Sequence, residues 1–488
     1  MNKRSATGSL FWIGASMVVS VINYLLSIVL SWQLDPTDYG SIAVSQTFIF
    51  IGTWLLVSGF PRVGIQIMAG QPEERWHENY AVLRGVLLGN VTLSLLLGGL
   101  LALAYVQAWL PLSASYAALL SWAILTVVLL ALRMTFDAVL QAQLRFGKLG
   151  MVRLIEVGLQ FGTAILFVEL GYGAAGALAG FAFGTGISLL VSIWYTRRVQ
   201  FWRSGQMAFG RLTNALRPVW PMLVANLAGV LIVNLDVLAI NFITQSDAIT
   251  GSYQVAAVLA RIPYFLVQTL IIIAFPMIAK QAGNLTEATA ASRQALLWTC
   301  LGVVPLNLIL FAGAEQTIRF FFPPIYVEAT NALRVLSLGM ICLCAALVLV
   351  AVCQARGKAY LAAYIMPLGM IVQLVTAALW IPADPLIGAA ASVGLASVTV
   401  LLGMAIAVAS TYPRVMRLQI RPIISLTLCW LLLIIAVFSL PILNRVLTAL
   451  WISGSTLLYV ISLAVADLLD WRPIVKNSWR KQRSRLSC

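Results

Sequence analysis

Acidic side chains are scarce in this sequence and histidine is nearly absent: 16 Asp and Glu and a single His stand among 488 residues. Charged residues of both signs make up only 10% of the chain, against about a quarter in an average globular protein. So little polar side chain cannot cover a water-soluble body, which excludes soluble enzymes and soluble binding modules. The 61% hydrophobic content likewise excludes disordered, collagenous and coiled-coil chains. The lone His77 cannot build a zinc cluster by itself. Six cysteines (Cys300, Cys342, Cys344, Cys353, Cys429 and Cys488) are scattered, mostly inside apolar runs, and give neither a disulfide framework nor a CxxC pair. Also missing are a GxSxG elbow, an HExxH helix and a Walker lysine loop. What remains is an all-α integral membrane protein, read as a non-enzyme without a cofactor.

Crossing the hydrocarbon takes about 20 apolar residues per helix. Cutting the chain at charges, prolines and polar clusters predicts fourteen transmembrane helices. They lie near 10–32, 39–60, 81–106, 115–138, 152–170, 173–196, 216–241, 251–278, 293–314, 332–353, 360–380, 386–410, 421–440 and 446–467. The first run follows Lys3 and Arg4 but is too long for a signal-peptide core, so it reads as a retained helix. Alternating the loops between two sides places 27 of the 31 Lys and Arg on one side, together with both termini. The other side receives Arg319, Arg334 and Arg445, and Arg261 falls inside a span. This asymmetry predicts that both termini are cytoplasmic. It also accounts for the net charge of +15 without nucleic acid as a partner. The outer loops are short; the longest, around 315–331, is mostly aromatic and proline.

The sequence also matches itself. Val21-Ile22-Asn23-Tyr24-Leu25 aligns with Ile232-Val233-Asn234-Leu235-Asp236, and Gly40-Ser41 with Gly251-Ser252, each pair 211 residues apart. Trp109-Leu110-Pro111 aligns with Phe321-Phe322-Pro323, Gly147-Lys148 with Gly357-Lys358, Gln160 with Gln373, and Gly176-Ala177 with Gly388-Ala389. Six matches in chain order at nearly one offset define a repeat of about 211 residues. An even number of spans per repeat brings both copies into the membrane in the same direction. The predicted architecture is two parallel six-helix repeat lobes plus two C-terminal helices, with substrate between the lobes. The units are an N-lobe over 1–200, a C-lobe over 201–412, a helix pair over 413–470 and a basic cytoplasmic tail over 471–488.

Three stretches resemble the polysaccharide transporters that move lipid-linked oligosaccharides, a family of the multidrug/oligosaccharidyl-lipid/polysaccharide exporter superfamily. Leu34-Asp35-Pro36-Thr37-Asp38-Tyr39-Gly40 is similar to the family's L-x-P-x-x-Y-G turn. Phe321-Phe322-Pro323-Pro324-Ile325-Tyr326-Val327-Glu328-Ala329 is similar to its F-G-x-x-Y-x-x-A stretch, with Pro323 where glycine is common. Gln354-Ala355-Arg356-Gly357-Lys358 is similar to its tenth-to-eleventh helix loop. The resemblance implies a V-shaped flippase of the bacterial inner membrane. Such a protein turns an undecaprenyl-diphosphate-linked oligosaccharide, an O-antigen or exopolysaccharide unit, to the periplasmic leaflet by alternating access. It implies partners among membrane lipids, a glycan polymerase and other assembly proteins, and a fold that works as a monomer. Multidrug exporters and lipid II flippases share the superfamily and stay as alternatives. A membrane polymerase or ligase acting on the same lipid is a more distant one.

Candidate residues follow from the cargo, which joins a hydrophilic glycan and an anionic diphosphate to an apolar tail. Arg261 lies inside the eighth expected span, where a charge costs at least ~2.5–3.5 kcal/mol unless it meets water or a partner. It either attracts the diphosphate or pairs with Asp236 on the neighbouring span, and the two roles are compatible. Asp236 is the candidate for coupling to H+ or Na+, its bland alternative being a contact with headgroups. Asn23 and Asn234 are expected on opposite walls of one cavity, and Arg62 and Arg84 at its inner mouth. Arg133 with Asp137, and Arg153 with Glu156 and Gln160, share helix faces. They read as pairs that lock or gate helices.

Overall fold

The computed structural model describes residues 3–58, 80–110, 112–113, 115–197, 220–280 and 285–416. The described residues form an all-helical bundle: α1 (Lys3–Gln33), α2 (Pro36–Ser58), α3 (Tyr80–Val106), α4 (Tyr116–Ala142), α5 (Phe146–Phe167), α6 (Gly173–Thr196) and α7 (Trp220–Thr244). The chain continues through α8 (Asp247–Ala260), α9 (Ile262–Lys280), α10 (Leu285–Ala312), α11 (Ala314–Phe321), α12 (Thr330–Ala355), α13 (Ala359–Trp380), α14 (Pro385–Thr411) and the short α15 (Pro413–Met416). Among the described residues ten segments are long and apolar enough to cross a membrane, so this is a multi-pass membrane protein. One of the ten, Phe146–Thr196, is a hairpin of α5 and α6 reversed at Gly171 (φ +89°) and Gly173 (φ +53°), a turn that needs left-handed backbone.

Each of the twelve expected spans within the described residues contains a helix, and two expectations change. The eighth span, expected as one run over 251–278, is divided into α8 and α9 at Arg261. Pro263 follows two residues later and brings no amide donor to the ladder, which bends there. The expected loop at 315–331 is instead ordered as α11 and a 3-10 turn over Pro324–Ala329. The spans near 421–440 and 446–467, and the basic tail, lie outside the described residues.

Helix starts follow local chemistry. Asp35 Oδ1 accepts the Asp38 amide at 2.7 Å ahead of Pro36, and Asp384 accepts the Ile387 amide ahead of Pro385. Ser246 caps α8 through the Ile249 amide. Buried hydroxyls inside the bundle return to carbonyls one turn back, as Ser45 does to Ser41, Ser337 to Leu333 and Ser397 to Val393. Each of these three O–H groups is thereby paired within an apolar surrounding.

Packing recurs along the chain with the repeat. α1 packs on α5 as α7 packs on α13; α5 on α6 as α13 on α14; α4 on α6 as α12 on α14. The matched glycines do the same work in each half. A Cβ on Gly176 would come within 3.0 Å of Phe167 O, and one on Gly388 would meet the Trp380 carbonyl at 2.5 Å. Gln160 reaches from α5 to Thr185 on α6 at 3.0 Å, and Gln373 reaches from α13 to Ile232 O on α7 at 3.0 Å. Between the halves, α2 packs against α7 and α8.

The α5–α6 hairpin yields a prediction. A Cβ on Gly180 would lie 2.6 Å from Ala164 Cα, against backbone that cannot rotate away. Gly180→Ala is expected to cost about 1–3 kcal/mol by overpacking. In Gly158→Ala the new methyl meets nothing within 4 Å, so the helix gains about 0.5–1 kcal/mol. Thermal unfolding in detergent should move the two midpoints in opposite directions.

Candidate functional site

The helix break at Arg261 places a guanidinium beside a carboxylate in the bundle interior. Arg261 Nη2 donates to Asp236 Oδ1 at 2.9 Å and to Oδ2 at 3.1 Å, and the Tyr253 hydroxyl donates to Oδ2 at 2.8 Å. Asp236 is 1% exposed, Tyr253 0% and Arg261 8%. The carboxylate thus has two charge-assisted bonds and a phenol, which is how a buried charge avoids the full cost of leaving water. Arg261 Nε has no hydrogen-bond partner among the described residues, so the guanidinium keeps donor capacity beyond its ion pair.

This pair lies against the first half of the chain. Tyr24 of α1 stacks edge-on with Phe265 of α9, ring centroids 6.0 Å apart, and is within electrostatic range of Arg261. Nearby, Ser27 and Leu30 of α1, Tyr39, Ile42, Ala43 and Gln46 of α2, and Gln254 of α8 line one crevice. The Gln254 carbonyl oxygen and the Tyr24 hydroxyl are buried without partners among the described residues. The interface between the halves is therefore polar in its interior as well as apolar.

The expected cavity residues divide. Asn234 donates its amide to Val230 O at 2.8 Å on its own helix, and Asn23 is exposed on α1. Arg84 is half-buried near the start of α3, while Arg62 lies outside the described residues. The second ionic group joins three helices. Arg133 on α4 is fully buried and donates to Glu156 on α5 at 2.5 Å, with Asp137 at 3.7 Å. Arg153 reaches the same Glu156 oxygen at 3.1 Å, and Ser192 on α6 donates to Asp137 at 3.0 Å. Gln160 adds its bond to Thr185 one turn further along α5.

Sequence reasoning missed two parts of these networks. Tyr253 sits eight residues before Arg261, on the same helical face, and that spacing was the available signal. The bridge from Arg133 to Glu156 was hidden because both residues already had same-helix partners by spacing. Only the packing of α4 on α5 makes it visible.

A bundle of membrane-crossing helices whose packing recurs in two matching sets, with ion pairs buried among the helices, is a build that membrane transporters share. Residues 5–281, more than half of the chain, match the model of the family described as polysaccharide biosynthesis protein. The chain belongs to that family. Its fold is similar to that of the lipid II flippase MurJ in an inward closed conformation, with a TM-score of 0.73 at 14% identity over 96% of this chain and 100% of that one. It is also similar to the eukaryotic MATE transporter AtDTX14, with a TM-score of 0.61 at 19% identity over 85% of this chain and 99% of that one. A mutant of the Vibrio cholerae MATE transporter VcmN matches with a TM-score of 0.58 at 14% identity, over 84% and 97% of the respective chains. At these identities the likeness is one of fold. None of the curated proteins compared matches the sequence.

Proposed function

We propose that this chain is a flippase that moves an undecaprenyl-diphosphate-linked oligosaccharide from the cytoplasmic to the periplasmic leaflet of a bacterial inner membrane. The lobes over 1–200 and 201–412 rock against each other in alternating access, with the N-terminus and the basic tail cytoplasmic. The observation that carries the reading is Arg261: a guanidinium buried at the junction of the halves, with a donor left over, in a family devoted to polysaccharide biosynthesis. A diphosphate is the part of the cargo that such a cation attracts. The glycan would meet the amides of Gln46 and Gln254, while the polyprenyl tail stays in lipid. Asp236 supplies the coupling: a proton or Na+ can reach its carboxylate only as Arg261 leaves, and the departing arginine is then free for the phosphates. Polymerases and other assembly proteins take over the product in the outer leaflet.

The fold likeness to a lipid II flippase favours a second cargo of the same chemistry, a polyprenyl diphosphate bearing a peptidoglycan unit. Transbilayer movement of fluorescent polyprenyl-diphosphate oligosaccharide and of lipid II in proteoliposomes separates the two. The expected result is protein-dependent movement of the oligosaccharide lipid, accelerated by an imposed proton or sodium gradient. Movement of lipid II alone would transfer the reading to that cargo. Movement of neither, with export of cationic dyes, would assign the chain to drug export.

A further inference from the structure

The two halves meet most tightly where the repeat meets itself. Gly40, on the first turn but one of α2, and Gly251, at the matching place on α8, face each other across the junction. A Cβ on Gly40 would overlap the Asp247 carbonyl and come within 2.8 Å of Gly251 N. A Cβ on Gly251 would overlap the Pro36 carbonyl and come within 3.1 Å of Gly40 N. The contact is reciprocal: Pro36 and Asp247 are themselves 211 residues apart, so the pseudo-twofold axis of the repeat runs between the two glycines. Both collisions are with backbone, which no side-chain rotation relieves.

Other bonds between the halves gather at this end of the bundle. The Tyr116 hydroxyl at the start of α4 donates to Asp247 at the start of α8. Trp32 Nε1 at the end of α1 donates to Phe321 O at 2.9 Å, and the Tyr39 and Tyr326 rings lie 5.9 Å apart. The crevice lined by Tyr39, Ala43, Gln46 and Gln254 begins beside Gly40 and continues along α2 and α8 beyond the glycines.

We propose that Gly40 and Gly251 form the seal of the periplasmic mouth, closed in this structure, and that backbone-to-backbone fit makes the sealed state the one most sensitive to an added methyl. The proposal rests on the flippase reading only for the assignment of this end to the periplasm. Alanine at either glycine raises the free energy of the closed state and leaves the state in which the lobes part here untouched, so the population shifts toward an open outer mouth. Tyr116→Phe removes one tie without adding volume and shifts the same equilibrium less.

The test needs no cargo. In a protein with the six native cysteines replaced, Ala43→Cys reports entry to the crevice through its reaction with a membrane-impermeant thiol reagent added to spheroplasts. Gly251→Ala is expected to raise the labelling rate at least about fivefold, as an overpacking penalty of about 1–3 kcal/mol requires. Tyr116→Phe should raise it by a smaller factor, and Gly158→Ala should leave it unchanged. An unchanged rate in both Gly251→Ala and Tyr116→Phe overturns the seal. An equal rise in Gly158→Ala also overturns it, because the effect is then general loosening. If labelling rises as expected and no lipid-linked glycan moves in proteoliposomes, the seal stands and the cargo reading fails.

Discussion

Arg261→Ala is expected to be among the most damaging single substitutions in the described bundle. It strands Asp236 at 1% exposure with a phenol and a backbone amide as its remaining donors. Removing one member of a buried ion pair costs about 3–5 kcal/mol, because the other charge loses its compensation. The midpoint of thermal unfolding in detergent should fall sharply, and transport should be lost. Both effects follow from instability alone, so the informative variant is the double change Arg261→Met with Asp236→Asn. It removes both charges, keeps similar volumes and leaves Tyr253 a carbonyl partner, so most of the lost stability should return. Transport should not return, because no cation is left for the diphosphate. A stable double variant that flips cargo at the parental rate would confine Arg261 to a structural role.

The Arg133 network predicts a comparable loss of stability. Arg133 is fully buried and joins Glu156 on α5 to Asp137 on its own helix, which in turn holds Ser192 on α6. Arg133→Met leaves buried Glu156 with Arg153 as its cation and buried Asp137 with the Ser192 hydroxyl, for a cost of about 3–5 kcal/mol. Glu156→Gln should cost less, since the amide still accepts from both arginines. A double-mutant cycle between these positions should give a coupling of about 0.5–3 kcal/mol, as for residues in direct contact. Additive losses in that cycle would mean that Arg133 and Glu156 do not act on each other. Because α4, α5 and α6 belong to one half, the transport defect should track the fraction of folded protein and leave the rate per folded molecule near the parental value. A slowed rate per folded molecule would instead give the network a part in the transport cycle.

Much of the fold was legible in the residues. The apolar runs, interrupted by charges and by Asp-Pro and Gly-Lys turns, put a helix in each of the twelve spans within the described residues, although α1 begins at Lys3 against an expected 10 and α10 at Leu285 against an expected 293. The six matches near an offset of 211 anticipated that packing pairs would recur, as Gly176 against Phe167 and Gly388 against Trp380 show, whereas Gln160 and Gln373 leave equivalent helices for different partners. The break at Arg261 was less legible, because hydropathy reads straight through Pro263. The order at 314–329 was hidden because a short helix and a 3-10 turn carry no spanning signal. The candidate site was legible only in part. Arg261 stood out because a charge in an apolar run is costly, and Asp236 was its natural partner. The bond of the Asn234 amide to Val230 O on its own helix was not legible, because spacing along the chain does not say which way an amide turns.

By itself the sequence determined what the bilayer dictates: an all-helical, multi-pass chain with a helix in each expected span among the described residues. Those features depend on single residues and on spacing along one chain, which hydrocarbon filters without reference to neighbours. Tertiary structure alone decided which charges share a site, which tyrosine completes Asp236, that Arg133 bridges two helices, and that two repeat-related glycines press backbone against backbone. Each of these depends on where helices distant in sequence come to lie. In lipid such approach is selected by close packing and by the pairing of buried polar groups, neither of which leaves a periodic trace along the chain.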